Sequence, residues 1–247
     1  MLVHGLRANA AIWDRVGPML AERFRVVALD LEACGLSGVD GDPGWRALGE
    51  DVGALVDQVQ LVRPVLVGHG VGAAPLLLHA GSGADHAGVI SLDWLPEPAE
   101  TAAESWRQLL LRMREDPVLQ FSGGRAEMIA LAGELDRAGD PDLGMTMLER
   151  ELEPDGDRWR CRHRQTDLWD LYQSLRADPV PPIDWSEIHN AGPPFVVLAS
   201  ARSGAIPQAV GRPRRDTPGM RWSDAGHNLP LEAPEQVVEL VRELAPR

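Results

Sequence analysis

Hydrophobic positions in this chain come in two kinds of pattern. Short, nearly continuous apolar runs stand at 1–5 (Met1-Leu2-Val3-His4-Gly5), 25–31, 64–68, 87–94 and 194–200, with a shorter one at 220–222. Runs of this length and continuity predict strands covered on both faces, as in a parallel sheet. Between them lie stretches with apolar residues three and four apart. Residues 11–23 carry Ile12, Val16, Met19 and Leu20; residues 45–59 carry Leu48, Val52, Leu55 and Val56. A helix follows residue 72 and runs to about residue 80, and another closes the chain at 235–244. Strand alternating with helix predicts an α/β protein with a doubly wound, mostly parallel sheet.

The pattern changes between 97 and 190. Helical spacing predominates there, with predicted helices at 99–114, 124–138, 143–152 and 166–176 and no core strand. Pro179, Pro181 and Pro182 end the last of these, because proline lacks the N–H and clashes in a helix interior. The expected organisation is an α/β core of residues 1–96 and 191–247 with a helical cap inserted at 97–190. No internal repeat or low-complexity tract interrupts it.

Ligands of open parallel sheets bind at the carboxyl ends of the strands. Gly5, Gly70, Asp93, Ser200 and His227 all stand at or just after predicted strand ends, so chain order alone gathers them on one edge. The densest signal is Pro64-Val65-Leu66-Val67-Gly68-His69-Gly70-Val71-Gly72-Ala73-Ala74: a strand, a tight turn and an immediate helix. Gly68 and Gly72 match the outer glycines of a Gly-x-Ser-x-Gly nucleophile elbow, but the middle residue is Gly70, which has no side chain to attack with. His227, in Gly226-His227-Asn228, is a candidate base because an unperturbed imidazole titrates near neutrality. Asp93 ends the fourth apolar run, where a carboxylate can accept from an imidazole N–H, fix its tautomer and stabilise its charged form. The alternative for Asp93 is a cap on the segment that follows it. The stretch that follows 194–200, Ala201-Arg202-Ser203-Gly204-Ala205-Ile206, contains no carboxylate.

Taken in order, Leu2-Val3-His4-Gly5, Val27-Ala28-Leu29-Asp30-Leu31 followed by Gly35-Leu36-Ser37-Gly38, the elbow at Gly68–Gly72 and Ala225-Gly226-His227 resemble the α/β-hydrolase fold superfamily over nearly the whole chain. The resemblance implies a base at His227, an acid supplied by Asp93 from the strand after the elbow strand, and an oxyanion hole made by the backbone N–H groups of Leu6 and Val71. It implies no nucleophile at Gly70. Within the superfamily, Leu92-Asp93-Trp94 with a late Gly-His looks like the cofactor-free dioxygenases that open hydroxyquinolone rings, in which a His/Asp dyad deprotonates the substrate. His69 and Trp159 match a histidine before the elbow serine and a cap tryptophan of that group, and with Trp94 they are the expected pocket residues. The chain departs from the group at Leu6-Arg7-Ala8, where the group has an aromatic residue and a histidine, and at Gly70 and Val71, where the group has serine and histidine. Cys34 stands in the loop after the second strand, where relatives often carry histidine; its plain reading is a small buried residue.

Composition narrows the partners. The 247 residues are 44% hydrophobic and 25% charged, enough for a folded domain, and the net charge is −13 with arginine as the only strong cation. Such a surface disfavours nucleic acid and anionic membranes, and Arg212, Arg214 and Arg215 read as a solvated loop. No apolar run approaches the ~20 residues that cross a bilayer, and no signal-peptide pattern opens the chain. Cys34 and Cys161 make no disulfide framework. His163 and His189 lack ligand-like spacing, so no metal is expected, and no P-loop lysine follows the glycines. The expectation is a cytoplasmic protein, monomer or homodimer, acting without a cofactor on a small molecule. Three readings stay open: an enzyme using His227 and Asp93 as a general base without covalent intermediate (a cofactor-free oxygenase, lyase, cyclase or isomerase), a serine hydrolase whose nucleophile has been replaced at Gly70, and a binding protein that keeps only the pocket.

Overall fold

The computed structural model describes residues 1–39, 44–96, 113–135, 140–177, 193–203 and 218–246, with Arg107, Leu111 and Val180. Its strands are β1 (Leu2–Val3), β2 (Ala28–Leu29), β3 (Val65–His69), β4 (Gly88–Leu92), β5 (Ser122–Gly123), β6 (Leu152–Asp155), β7 (Arg158–Cys161), β8 (Phe195–Ser200) and β9 (Met220–Ser223). Its helices are α1 (Val16–Ala21), α2 (Trp45–Gln58), α3 (Ala73–Gly81), α4 (Arg125–Leu135), α5 (Pro141–Glu151), α6 (Gln165–Ala177), α7 (Leu229–Glu232) and α8 (Pro234–Leu244).

Six strands form one parallel sheet in the order β2-β1-β3-β4-β8-β9. The alternation of side chains along each strand sorts its residues between two apolar layers. Val3, Leu66, Val89 and Val197 face one layer, completed by Trp45, Leu48 and Val52 of α2, Leu76 of α3, and Leu168, Leu171 and Tyr172 of α6. Leu2, Val67, Ile90, Val196 and Leu198 face the other, with Ile12, Trp13, Val16, Leu20 and the apolar face of α8. After β1 the chain adds β2 on one side and β3 on the other. That reversal is the topological switch point of the sheet, where the loops leaving two neighbouring strands diverge and leave a crevice.

The structure shortens two expected elements. The run at 25–31 yields only Ala28–Leu29 as strand, because it lies at the sheet edge with one neighbour and Ala28 exposed. The helix expected at 11–23 is split into a 3-10 turn (Ala10–Trp13) and the short α1, whose third residue is Pro18. Proline has no N–H to bond back across the break, so the helix cannot run through continuously.

The inserted region is corrected more substantially. It is not all helical: β5, β7 and β6 form a three-stranded antiparallel sheet. Gly156, at φ +65, and Asp157 make the two-residue turn between β6 and β7. A two-residue turn with left-handed backbone matches strand twist, and Gly-Asp between alternating residues was its signal in the sequence. The helix predicted at 143–152 instead spans Pro141–Glu151, with the Asp140 side chain accepting from the Leu143 N–H as its N-cap. The helix predicted at 99–114 lies largely outside the described residues.

Polar contacts seat this region on the loops that follow β1 and β2. Arg150 pairs with Asp30 at 2.6 Å, Arg7 with Asp116 at 2.9 Å, and Asn9 Nδ2 donates to Glu151 Oε1 at 2.9 Å. Glu151 also accepts from the Gly35 N–H at 3.1 Å, and the His163 ring bonds the Gly35 carbonyl at 3.0 Å. Among the described residues no helix is long and apolar enough to cross a membrane.

Candidate active site

β3 runs through His69 and turns at Gly70 into a 3-10 segment, Gly70–Gly72, that leads directly into α3. The outer glycines are there because backbone passes too close for anything larger. A Cβ on Gly68 would lie 2.4 Å from the Ala73 nitrogen, and one on Gly72 would lie 2.1 Å from the His4 carbonyl oxygen. Both are far inside contact distance, so the turn is fixed against β1 as well as folded on itself.

Gly70 differs. Its φ of +52 lies in the left-handed region, but an added Cβ would meet only ordinary contacts: Gly5 Cα and His227 Nε2 at 3.8 Å and His227 Cε1 at 3.9 Å. The position a serine side chain would leave from is therefore open, and it faces the imidazole. The proximity to Gly5 also brings the loop carrying Leu6 beside the turn carrying Val71. Among the described residues, neither the Leu6 nor the Val71 N–H donates to a backbone acceptor outside its own helix or strand.

His227 and Asp93, 134 residues apart, meet across the sheet edge. His227 Nδ1 lies 2.7 Å from Asp93 Oδ2. Asp93 follows β4 directly, sits at φ +55 and is 1% exposed; its Oδ1 accepts from the Ser200 N–H at 2.9 Å. An ionised carboxylate only accepts, so the His227 proton stands on Nδ1, and the Nε2 lone pair is left free on the side of the ring nearest Gly70. The His227 side chain is 45% exposed, so the imidazole is reachable from outside while its carboxylate partner is sealed.

The histidine loop is tied down at several points. Glu232 of α7 accepts from the N–H groups of Gly226 and Asn228 at 2.7 and 3.3 Å. Ser200 Oγ donates to the Ala225 carbonyl at 2.7 Å, and His69 Nε2 donates to the His227 carbonyl at 3.0 Å. The rings of His69 and His227 stand 4.7 Å apart at 45°. Ser200 is expected on this edge as a strand end, but its bond to the histidine loop is not, and nothing in the sequence marks Glu232, since neither has a local pattern that predicts contact with a loop turned back upon it.

His69 is fully buried, and its pKa is pushed down to about 3, first by burial and then by the charge His227 carries when protonated. It therefore stays neutral, with its proton on Nε2, and its Nδ1 is buried without a partner. His4 is also buried and shifted down by burial; it accepts the Leu31 N–H on Nε2 at 2.9 Å and donates from Nδ1 to the Gly5 carbonyl at 2.7 Å. These shifts make stability depend on pH. Above about 6.5, the ordinary histidine pKa, both rings are neutral in the folded and the unfolded chain. Below it the unfolded chain binds protons that folded His69 refuses down to about 3, so stability is lost as pH falls from 6.5. Each such group contributes a slope of up to about 1.4 kcal/mol per pH unit. Urea unfolding at pH 5.5 should give a free energy roughly 1–3 kcal/mol below that at pH 7.5, and His69→Gln should flatten the slope; equal values at the two pH settings would contradict the assignment.

The other expected residues fall elsewhere. Trp94 is partly buried against the apolar layer that holds α2 and α6, and its carbonyl accepts from Ser91 Oγ at 2.6 Å. Trp159 stands on β7 and packs in a third apolar cluster, inside the inserted region, with Met128, Leu131, Leu148 and Leu152. Cys34 and Cys161 are both buried free thiols whose pKa values are raised, chiefly by burial, so neither is poised as a thiolate nucleophile. Among the described residues no cluster of three or more histidine, cysteine, aspartate or glutamate side chains could hold a metal ion. A cavity of about 490 Å³ between α2 and α3, lined by Trp45, Glu50, Asp57 and His79 among others, contains none of the residues that surround His227.

Solved structures with the same architecture include E-2-(acetamidomethylene)succinate hydrolase, at 19% identity and a TM-score of 0.78, matched over 98% of this chain and 89% of that one. A thermophilic esterase from Thermogutta terrifontis, bound to malate, matches at 22% identity and a TM-score of 0.63, over 98% of this chain and 87% of that one. The thioesterase domain of the curacin biosynthetic pathway matches at 17% identity and a TM-score of 0.68, over 98% and 89%. Identities this low establish the fold and leave the reaction open. The sequence profile of the alpha/beta hydrolase family, in turn, matches residues 1–240. On that match and the parallel sheet beneath it, the chain belongs to the alpha/beta hydrolase family.

Proposed function

We propose that this protein is an enzyme in which His227, oriented by Asp93, acts as a general base on a small, largely apolar carbonyl compound, with no covalent enzyme intermediate. The observation that carries the reading is the 2.7 Å bond from His227 Nδ1 to a buried Asp93, combined with Nε2 facing a glycine where a nucleophile would stand. Asp93 holds the tautomer that leaves Nε2 basic and stabilises the imidazolium that forms when it takes a proton. The N–H groups of Leu6 and Val71 receive the charge that develops on the carbonyl oxygen, the largest single contribution in many such sites. His69, whose ring stands 4.7 Å from that of His227, lies beside the base, and the region at 97–190 serves as the cap that shapes the pocket.

A base and a polarising hole permit oxygenation without cofactor, carbon–carbon cleavage, cyclisation or isomerisation. The relatives named as esterases and hydrolases favour an ester- or amide-type carbonyl over a reaction with oxygen. A second reading has its own support: a Cβ at Gly70 would meet only ordinary contacts and would face His227, as the nucleophile of a serine hydrolase would. The test of the principal reading is His227→Ala assayed against a panel of short esters, thioesters and enolisable ketones. Turnover should fall about 100-fold or more, as removal of a general base does. Turnover equal to the parent's would sink the proposal, and binding without turnover in the parent would leave a receptor instead.

A further inference from the structure

The proposed base needs a proton donor within reach, and among the described residues the side-chain atoms nearest a Cβ placed at Gly70 belong to His227 itself. Among the described residues, the groups nearest a Cβ at Gly70 are Gly5 Cα, His227 Nε2 and His227 Cε1. Cys34 is buried with its pKa raised, and His69 is already committed through Nε2 to the His227 carbonyl. A serine here would place its oxygen between Gly70 and Nε2, and glycine leaves that volume to solvent at a site whose imidazole is 45% exposed.

We infer that a water molecule lodges between Gly70 and His227 Nε2 in place of the serine hydroxyl and is itself the nucleophile, making the protein a direct, single-displacement hydrolase of small esters or thioesters. The inference rests on the general-base reading above and adds to it the identity of the second reactant. A water can occupy a site only if it has room and about two to four polar partners. The absent side chain gives the room. Nε2 accepts one of its hydrogens, and the N–H of Val71, next in the chain to Gly70, donates to it until the substrate carbonyl arrives.

The step balances without any further reagent. As the water oxygen bonds to the carbonyl carbon, one of its protons passes to Nε2, and the π pair of the carbonyl moves to the oxygen facing the Leu6 and Val71 N–H groups. Asp93 stabilises the resulting imidazolium. When the oxyanion collapses, the bond to the leaving oxygen or sulfur breaks, and that atom takes the proton back from His227. The products are a carboxylic acid and an alcohol or thiol, and the protein is unchanged.

The decisive variant is Gly70→Ala. Its methyl carbon would stand 3.8 Å from both His227 Nε2 and Gly5 Cα, ordinary contact that leaves the imidazole in place but fills the water position. With 4-nitrophenyl acetate and acetyl thioesters as probes, the parent should hydrolyse without an initial burst and with a solvent deuterium effect of about two- to threefold on kcat, the mark of a proton moving in the transition state. Gly70→Ala should lose at least 100-fold in kcat. Gly70→Ser, which carries the same Cβ at the same φ, serves as the folding control: its labelling by a fluorophosphonate shows that a side chain is accommodated there.

The outcomes separate the two claims. If His227→Ala abolishes hydrolysis while Gly70→Ala keeps it within about threefold, the water site is overturned and the general base stands. If His227→Ala has no effect, both fall. If the parent hydrolyses none of the probes yet consumes an enolisable ketone in a His227-dependent way, the inference is overturned and the base acts on carbon.

Discussion

Gly70→Ser should convert the protein into one that is covalently labelled by a fluorophosphonate and releases a burst of 4-nitrophenolate equal to the enzyme concentration. The expectation follows from one distance. A Cβ at position 70 lies 3.8 Å from His227 Nε2, and a hydroxyl on it, one C–O bond further, reaches hydrogen-bond range of about 2.8 Å. Nε2 carries the lone pair because Nδ1 donates to Asp93 at 2.7 Å, so the base is in the required tautomer before the serine arrives. The cost is backbone strain, since an L-residue at φ +52 is disfavoured by about 1–2 kcal/mol. In a domain of this size that lowers Tm by several degrees, about 2–4 °C per kcal/mol. The fold already holds Asp93, Arg7 and Ala33 at positive φ, so the strain is tolerable. A folded variant with no label and no burst would show that the turn does not aim position 70 at His227.

Asp93→Asn should reduce kcat by about 10³- to 10⁴-fold with little change in KM. Asparagine is nearly the same size, and its Oδ1 can still accept from the Ser200 N–H, so the fold should hold. Its Nδ2, however, donates where the carboxylate accepted. Facing His227 Nδ1, it forces the proton to Nε2 and removes the basic lone pair from the side nearest Gly70. Asp93→Ala is the harsher change, leaving the buried Ser200 N–H unpaired at about 1–3 kcal/mol of stability. An Asn variant as active as the parent would mean that Asp93 only braces the loops and that His227 does not depend on its tautomer.

The two experiments bear on different features of the same edge. The first asks whether the turn aims position 70 at His227, and the second whether the contact between Asp93 and His227 depends on its polarity. Both features exist because β1, β3 and β4 are adjacent and parallel, so the turns that leave them emerge side by side. The close approach of Gly72 to His4 and of Gly5 to the elbow holds the turns together with backbone alone. That is why the geometry persists with a glycine at its centre: the elbow is shaped by Gly68 and Gly72, and the residue at 70 contributes little to it.

Much of this was readable in the chain. The runs at 64–68, 87–94 and 194–200 became β3, β4 and β8 within a residue or two, because a strand covered on both faces must be apolar along its whole length. The helical spacings of α2, α3 and α8 were equally plain, since each has one face against the sheet. The edge strand β2 was overread for the same reason: an apolar run says nothing about how many neighbours will pair with it. The sheet of β5, β6 and β7 was missed because its strands are two to four residues long and lie beside stronger helical patterns.

The sequence by itself determined that strand ends would collect Gly5, Gly70, Asp93, Ser200 and His227 on one edge, and that position 70, at the centre of the turn, carries no side chain. These follow from period and order, which are local properties of a chain. Only the tertiary structure decided that Asp93 and His227 are in contact, that the free nitrogen lies on the Gly70 side, and that Glu232, Ser200 and His69 hold the loop that presents it. Those are distances between segments far apart in the chain, set by how the sheet twists and how its loops pack. It also decided that Trp159 packs with Met128, Leu131, Leu148 and Leu152, because β7 lies between β5 and β6 in the small antiparallel sheet.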